Sequence, residues 1–482
     1  MKQPNLIYVF ADQLGYRHCG YAGNPKARTP NIDALAAGGV NFRQAVTTTP
    51  VCAAYRASLL TGKYTTTTGM VINELRMNPN HRCIGHVLTE GGYETAYLGK
   101  WHLWANQVGN HDDPKNGCIP PGPHRLGFDG YWAAYNFHHD YFGAYYYRDE
   151  PVKIPYGDAS VYEPDAQTDM AIDALGRCAA GDKPFAMFLS YGTPHDPWTW
   201  KNVPAKYADM FRNVDFPLPP NYSDKDDPYS DKWGRYKEGE RAQIGQWQQV
   251  YYAMTANLDD NIGRFLAAVD KSGVADDTIL VFTSDHGEMF GAHGRRAKNI
   301  FYEEAIRVPL LVRWPGRIKP ASVSDALMNT PDIMPTLLGL MDLPIPREVE
   351  GMDLSHCALG SSGDDTLANA SGSRRPVPEA ALLQNTGACA IWEDGHEWRA
   401  LRDNRHTYAR YRVDGAELLF DNIADPYQLS NLVWQADAGP VLERFRKMLA
   451  ARMAELNDTF ECCTWYRDHW TADRVILRGA KG

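Results

Sequence analysis

Five apolar runs of strand length punctuate the first two-thirds of the chain, at residues 5–11, 93–100, 184–191, 278–285 and 308–314. None alternates apolar with polar side chains, which is the pattern of strands covered on both faces. Between them, helical spacing and end signals mark residues 29–39, 52–62, 163–179 and 241–273, with proline near two starts and glycine at several ends. Strand alternating with helix predicts an α/β fold, a large and mostly parallel central sheet flanked by helices.

Toward the C terminus the texture changes. A Gly/Ser/Asp-rich stretch at 360–378 reads as a linker or exposed loop. Short strand-like pieces follow at 380–384, 395–403, 406–411 and 416–422, then a helix at 440–456. They predict a small antiparallel sheet with a packed helix, dividing the chain into 1–375 and 376–482. Two aromatic-rich stretches, 131–147 and 198–236, lie between core elements. Their rings suit either stacking on a sugar or aryl ring or packing an irregular insertion onto the body.

A hydrophobic fraction of 44% and a charged fraction of 22% belong to an ordinary globular protein, and 482 residues exceed what one core organises. Lysine and arginine number 49 against 59 acidic residues, a formal charge of 49 − 59 = −10 that argues against a nucleic-acid surface. An anionic substrate would therefore need a local positive pocket. No apolar run approaches the roughly 18 residues of a membrane span, and residues 1–11 read as a first strand instead of a signal peptide. The chain as given is expected to be cytoplasmic and free of the membrane, with a periplasmic or secreted location the alternative if a leader was removed. Nine cysteines, thinly spread, do not resemble a disulfide framework, and adjacent Cys462 and Cys463 read as packing residues. Nothing signals an oligomeric state.

In α/β sheets reactive groups gather at the carboxyl ends of strands. Asp12 and Gln13 follow the first run, Lys100 and His102 the second, His195 the third, and Asp285 and His286 the fourth. Carboxylates and a carboxamide oxygen from two distant strands suit a hard divalent cation, with His286 completing the shell. That points to calcium; a nitrogen ligand keeps manganese or another divalent ion open. Cys52 falls in the first turn of a helix with Arg56 four residues on, so helix terminus and guanidinium together would cradle a sulfate or phosphate.

The segment PVCAAYRASLLTG (50–62) resembles the signature of the type I, formylglycine-dependent sulfatase family of the alkaline phosphatase superfamily. The likeness extends in order through ADQLG, TPNIDALAAGGVNF, LGKWHL, TPHDPW, TSDHGEMFGAHG with Lys298 beyond, RVPLLVRWPG and LFDNIADPYQLSNL. The resemblance implies that Cys52 is oxidised to formylglycine by a formylglycine-generating or sulfatase-maturating enzyme. It implies metal ligation by Asp12, Gln13, Asp285, His286 and the modified Cys52. Arg56 and Lys100 would hold the formylglycine and sulfate oxygens, and His102 would assist breakdown of the enzyme-bound hemiacetal. His195 and Lys298 would face the leaving group, one of them protonating it. The implied substrate is a small-molecule or oligosaccharide sulfate ester, with a sulfated carbohydrate favoured by the aromatic stretches.

Two positions depart from the family pattern. Ala54 replaces the signature's proline and resembles substrates of the oxygen-independent maturase. Gln13 replaces a second acidic residue and resembles phosphonate monoester hydrolases and phosphodiesterases of the same superfamily. The pair Lys100 and His102 keeps the sulfate-ester reading ahead of that alternative. A silent anion-binding protein with Cys52 left as a thiol is the reading of another class.

Overall fold

The structure, a computed structural model, describes residues 3–105, 107–360 and 376–482. Eight strands form the main sheet: β1 (Asn5–Ala11), β2 (Val40–Phe42), β3 (Glu94–Lys100), β4 (Tyr131–Tyr135), β5 (Phe185–Ser190), β6 (Thr278–Ser284), β7 (Leu310–Arg313) and β8 (Ser322–Ser324). Their order is β8-β2-β7-β6-β1-β5-β3-β4. Neighbours run parallel except at β7, which is antiparallel to both β2 and β6. The mostly parallel sheet of the sequence reading is therefore present. The run at 308–314 forms its antiparallel member, a direction that an apolar run alone cannot reveal.

β1 lies at the centre, every residue buried. One face is covered by α2 (Cys52–Thr61) and α5 (Thr330–Leu340), the other by α1 (Pro30–Gly38), α3 (Glu163–Ala179) and α4 (Ile244–Lys271). All ten residues of α2 are buried, so it shows no polar stripe, and Gly62 ends it in the left-handed region at φ 65°. α2 is thereby fixed as a rigid rod through the core, with its first residue facing the sheet's carboxyl edge.

The second sheet is antiparallel, as expected: β9 (Ala381–Asn385), β10 (Trp398–Arg402), β11 (His406–Tyr411) and β12 (Glu417–Asp421). One face packs under α6 (Gly439–Glu455) through Leu382, Leu401, Leu419, Phe445 and Leu449. The other packs on Phe301, Tyr302 and Ile306 of the first part, so both sheets share buried surface. Most of the 360–378 stretch, and the expected boundary at 375, lie outside the described residues. Among the described residues no helix is long and apolar enough to cross a membrane, and all nine cysteines are free.

Candidate active site

Because Ala11 pairs with Ser284 across β1 and β6, the next residues, Asp12 and Asp285, leave the sheet side by side. Gln13 turns the chain sharply at φ 72°, and its N–H donates to Asp285 Oδ1 at 2.9 Å. Cys52 enters from the first turn of α2, where Asn73 Oδ1 accepts from Ala53 N–H at 3.0 Å. Cys52 Sγ lies 3.2 Å from His286 Nε2 and 3.8 Å from Asp12 Oδ1. Ligand atoms of Asp12, Cys52, Asp285 and His286 all fall within 4.8 Å of one another, and all four residues are buried.

This donor set fits a divalent cation. Two carboxylates supply hard oxygens, and His286 Nδ1 is engaged by the Gly287 carbonyl at 3.0 Å, which leaves Nε2 facing the group. Burial holds the His286 pKa down to about 4, so the ring is neutral and able to ligate. Gln13 borders the group with its carboxamide turned sideways: Nε2 donates to Glu288 Oε2 at 2.6 Å, and Oε1 accepts from Lys298 Nζ at 2.8 Å.

Three cations surround the carboxylates. Arg56, fully buried, donates through NH2 toward Asp12 and Asp285 at 3.5 and 3.4 Å and through NH1 to the Lys100 carbonyl and Ser190 Oγ. Lys100 Nζ donates to Asp12 Oδ2. Burial alone would push the Asp12 carboxyl up, but Lys100, His195 and Arg56 hold it well below the usual carboxylate range. The third cation, Lys298 Nζ, is 2.7 Å from His195 Nε2, and His195 Nδ1 is 2.9 Å from Asp196 Oδ1. Burial works against a charge on Lys298, yet facing Cys52 and Asp12 raises its pKa above the usual lysine value. Above these groups opens a cavity of about 250 Å³, lined by Cys52, Glu74, His111, Phe137, Trp233 and Lys298 among others. The arrangement can grip an anion between fixed positive groups beside a cation and a residue-52 side chain.

A family model described as Sulfatase matches residues 4–343. The chain belongs to the sulfatase family. This sulfatase, a hydrolase of sulfuric ester bonds, is 37% identical over 470 residues to the ulvan-active sulfatase of Formosa agariphila, covering 96% of this chain and 84% of that one. It is 28% identical to the endo-4-O-sulfatase of Bacteroides thetaiotaomicron, covering 98% and 95% of the two chains. The solved structure of yidJ from Bacteroides fragilis, assigned as a sulfatase, matches with a TM-score of 0.80 at 27% identity, covering 97% and 98%.

All ten residues singled out from the sulfatase motifs gather at the carboxyl edge of the main sheet. Asp196 and Glu288 lie inside those motifs but were given no role, although they touch His195 and Gln13; Glu74, which touches His102, and His111, which faces Glu74, lie outside the motifs and were missed. Sequence reasoning also missed His139, whose ring stacks on His195 at 4.0 Å and 11°. The aromatic stretches divide: Tyr135, Tyr145, Tyr147 and Trp198 are core packing, whereas Phe137 and Trp233 reach the cavity.

Proposed function

We propose that this sulfatase removes sulfate from a sulfated carbohydrate, using formylglycine made from Cys52 and a divalent cation, calcium before manganese. The observation that carries the reading is the position of Cys52, whose sulfur sits against Asp12 and His286 at the wall of the cavity. Asp12, Asp285, His286 and residue 52 would hold the cation, with Gln13 beside them, and a cation there supplies Lewis-acid activation of a hydroxyl. Hydrated formylglycine supplies that hydroxyl as the nucleophile for sulfur.

The remaining roles belong to the chain's own side chains. Arg56 and Lys100 bind the sulfate oxygens and offset the charge that builds on them. Burial and Lys298 push the His195 pKa down, but Asp196 and Asp12 outweigh them and leave it raised. At 2.7 Å Lys298 Nζ and His195 Nε2 share a hydrogen bond in which one accepts, so the pair offers a single shared proton on the leaving-group side. A sugar alkoxide needs such a proton to depart. His102 takes a proton in the step that expels sulfate.

The cavity volume, about 250 Å³, falls below the roughly 300–1,000 Å³ of sites for drug-sized ligands and suits a single sugar ring. Phe137 and Trp233 offer it flat faces. The name of the Formosa agariphila relative, an ulvan-active sulfatase, supports a carbohydrate over a simple aryl ester. We assign 1–375 to the catalytic part and 376–482 to a C-terminal subdomain, and a maturase acting on Cys52 is the partner the reading requires.

Peptide mass spectrometry on protein from its own host, beside a screen of sulfated mono- and oligosaccharides, an aryl sulfate and a phosphate diester, tests the reading. Converted Cys52 with sulfate released from a sugar is the expected result. Unmodified Cys52 in the native host would leave a silent anion binder. Turnover of the diester alone would favour the phosphonate and phosphodiester chemistry to which Gln13 points.

A further inference from the structure

His102 is fully buried, and a buried base must return its proton to water before the next turnover. Its surroundings offer one continuous route. His102 Nε2 lies 3.2 Å from Glu74 Oε1, and the other carboxyl oxygen, Glu74 Oε2, lies 3.7 Å from His111 Nδ1. His111 is the outer member, with its side chain 24% exposed at the cavity wall. Phe137 packs against both imidazoles, with ring centroids 4.5 Å from His102 and 4.4 Å from His111.

Resting on the proposed role of His102, we propose that Glu74 and His111 form its proton exit, with Glu74 also fixing the imidazole so that Nδ1 is the basic nitrogen. Three polar atoms fit this arrangement by having no hydrogen-bond partner among the described residues: His102 Nδ1, Glu74 Oε2 and His111 Nδ1. The first is left to receive a proton, and the other two face each other just beyond hydrogen-bond reach, a gap that rotation of the half-buried His111 ring closes.

The backbone supports a dedicated role. Glu74 and His102 both occupy the left-handed region, at φ 62° and 58°, a conformation costly for residues other than glycine and kept where the surroundings enforce it. Arg474, from the C-terminal ribbon Thr471–Ile476, enforces it at Glu74 by donating to the Glu74 carbonyl at 3.1 Å, and Arg76 N–H donates back to the Arg474 carbonyl. Burial raises the Glu74 carboxyl to about 7 against the pull of Lys100 and Arg474, which suits a group that gains and loses a proton at neutral pH. The charged and titratable groups facing the route are His102, His111, Lys100, Arg474, Arg56, Asp12 and Asp112.

The proton count closes. His102 Nδ1 takes the proton of the hydroxyl on residue 52, the O–H electron pair forms the C=O bond, and the C–O bond to sulfate breaks with its pair leaving on sulfate. The Nε2 proton passes to Glu74, from Glu74 to His111, and from His111 to water, which leaves His102 neutral with its proton on Nδ1. When water next adds to the aldehyde, Nδ1–H protonates the carbonyl oxygen, the added water releases one proton, and Nε2 regains one through the same route, so the starting tautomer returns.

The test uses the matured, calcium-loaded enzyme with para-nitrophenyl sulfate, whose leaving group needs no acid, so that sulfate expulsion limits the steady state. In Glu74→Gln the hydrogen bond can persist while proton transfer cannot. The steady-state kcat and KM should fall together, by at least about tenfold, with kcat/KM kept within about twofold, while the first-turnover burst of nitrophenolate survives. His111→Ala should show a smaller loss that added imidazole reverses in proportion to its concentration, which loss of a purely structural contact would not do. Unchanged steady-state rates and pH profiles in both variants, with His102→Ala slow, would overturn the exit route. An unimpaired His102→Ala would instead remove the role assigned to His102 itself.

Discussion

His286 Nε2 lies 3.2 Å from Cys52 Sγ while its Nδ1 is tied to the Gly287 carbonyl, so the imidazole can turn neither nitrogen away from the residue that sequence and geometry both mark. The first prediction follows from that tether. Calcium at about 100 times its Kd should stabilise the wild type by about 2.7 kcal/mol. Asp285→Asn and His286→Ala should lose most of this gain, because each would remove one of the few donor atoms that this buried group offers a cation. Thermal unfolding with and without calcium checks this. An equal shift in variants and wild type would place the cation elsewhere.

A second prediction separates sulfate binding from proton donation. His195→Ala should slow hydrolysis of a sugar sulfate by about 10²–10⁴-fold and of an aryl sulfate far less, since a phenolate leaves unaided. Lys298→Ala should follow the same trend, because its Nζ is 2.7 Å from His195 Nε2. A plot of log kcat/KM against leaving-group pKa reads the outcome. The slope should steepen in both variants, and a parallel displacement would mean that these residues bind sulfate instead.

The third concerns Gln13, where the family pattern has a second acid. Its Nε2 donates at 2.6 Å to Glu288 Oε2, a buried carboxyl whose pKa burial raises. A carboxylate in place of the amide would set two acids face to face without water. Gln13→Glu should therefore cost about 1–3 kcal/mol, and adding Glu288→Gln should recover most of it. Urea denaturation of the two single variants and the double variant gives the coupling directly, and strict additivity would refute the pairing.

These residues also show how far the sequence carried. The strand-end groups were legible because parallel strands deliver their carboxyl ends to one edge, so Asp12, Lys100, His195 and Asp285 had to converge once the strands were assigned. The antiparallel direction of β7 was not legible, since buried strands of either direction read as plain apolar runs. Glu74, and the role of Glu288 inside its motif, were invisible for another reason. Each acts by touching a motif residue across more than 25 positions of sequence, and a glutamate outside a helix or strand carries no periodicity to betray so distant a partner. The aromatic stretches were half legible: composition exposed the rings, but only packing separates Phe137 at the cavity from Tyr147 in the core.

The last prediction concerns the join between the two sheets. Arg402 of β10 makes a two-pronged contact with Glu303 of the first part, at 3.1 and 3.2 Å, and both side chains are 2% exposed. Burial pushes the Glu303 carboxyl up, but Arg402, with help from Arg307 and Arg17, brings it down to about 2 from an ordinary 4.5. A depressed carboxylate stabilises the fold fully above its unfolded pKa and loses that contribution as pH falls through the folded value. The stability gap between wild type and Glu303→Gln should thus be constant above about pH 5 and shrink by about 3 kcal/mol as the pH approaches 2. Arg402→Met leaves a buried carboxylate uncompensated and should cost about 3–5 kcal/mol at pH 7. That variant should regain stability relative to the wild type on acidification, because protonating Glu303 removes the unpaired charge. Equilibrium unfolding of the three proteins across pH 3–7 measures both trends, and a gap that stays flat throughout would mean that folding does not shift the Glu303 pKa.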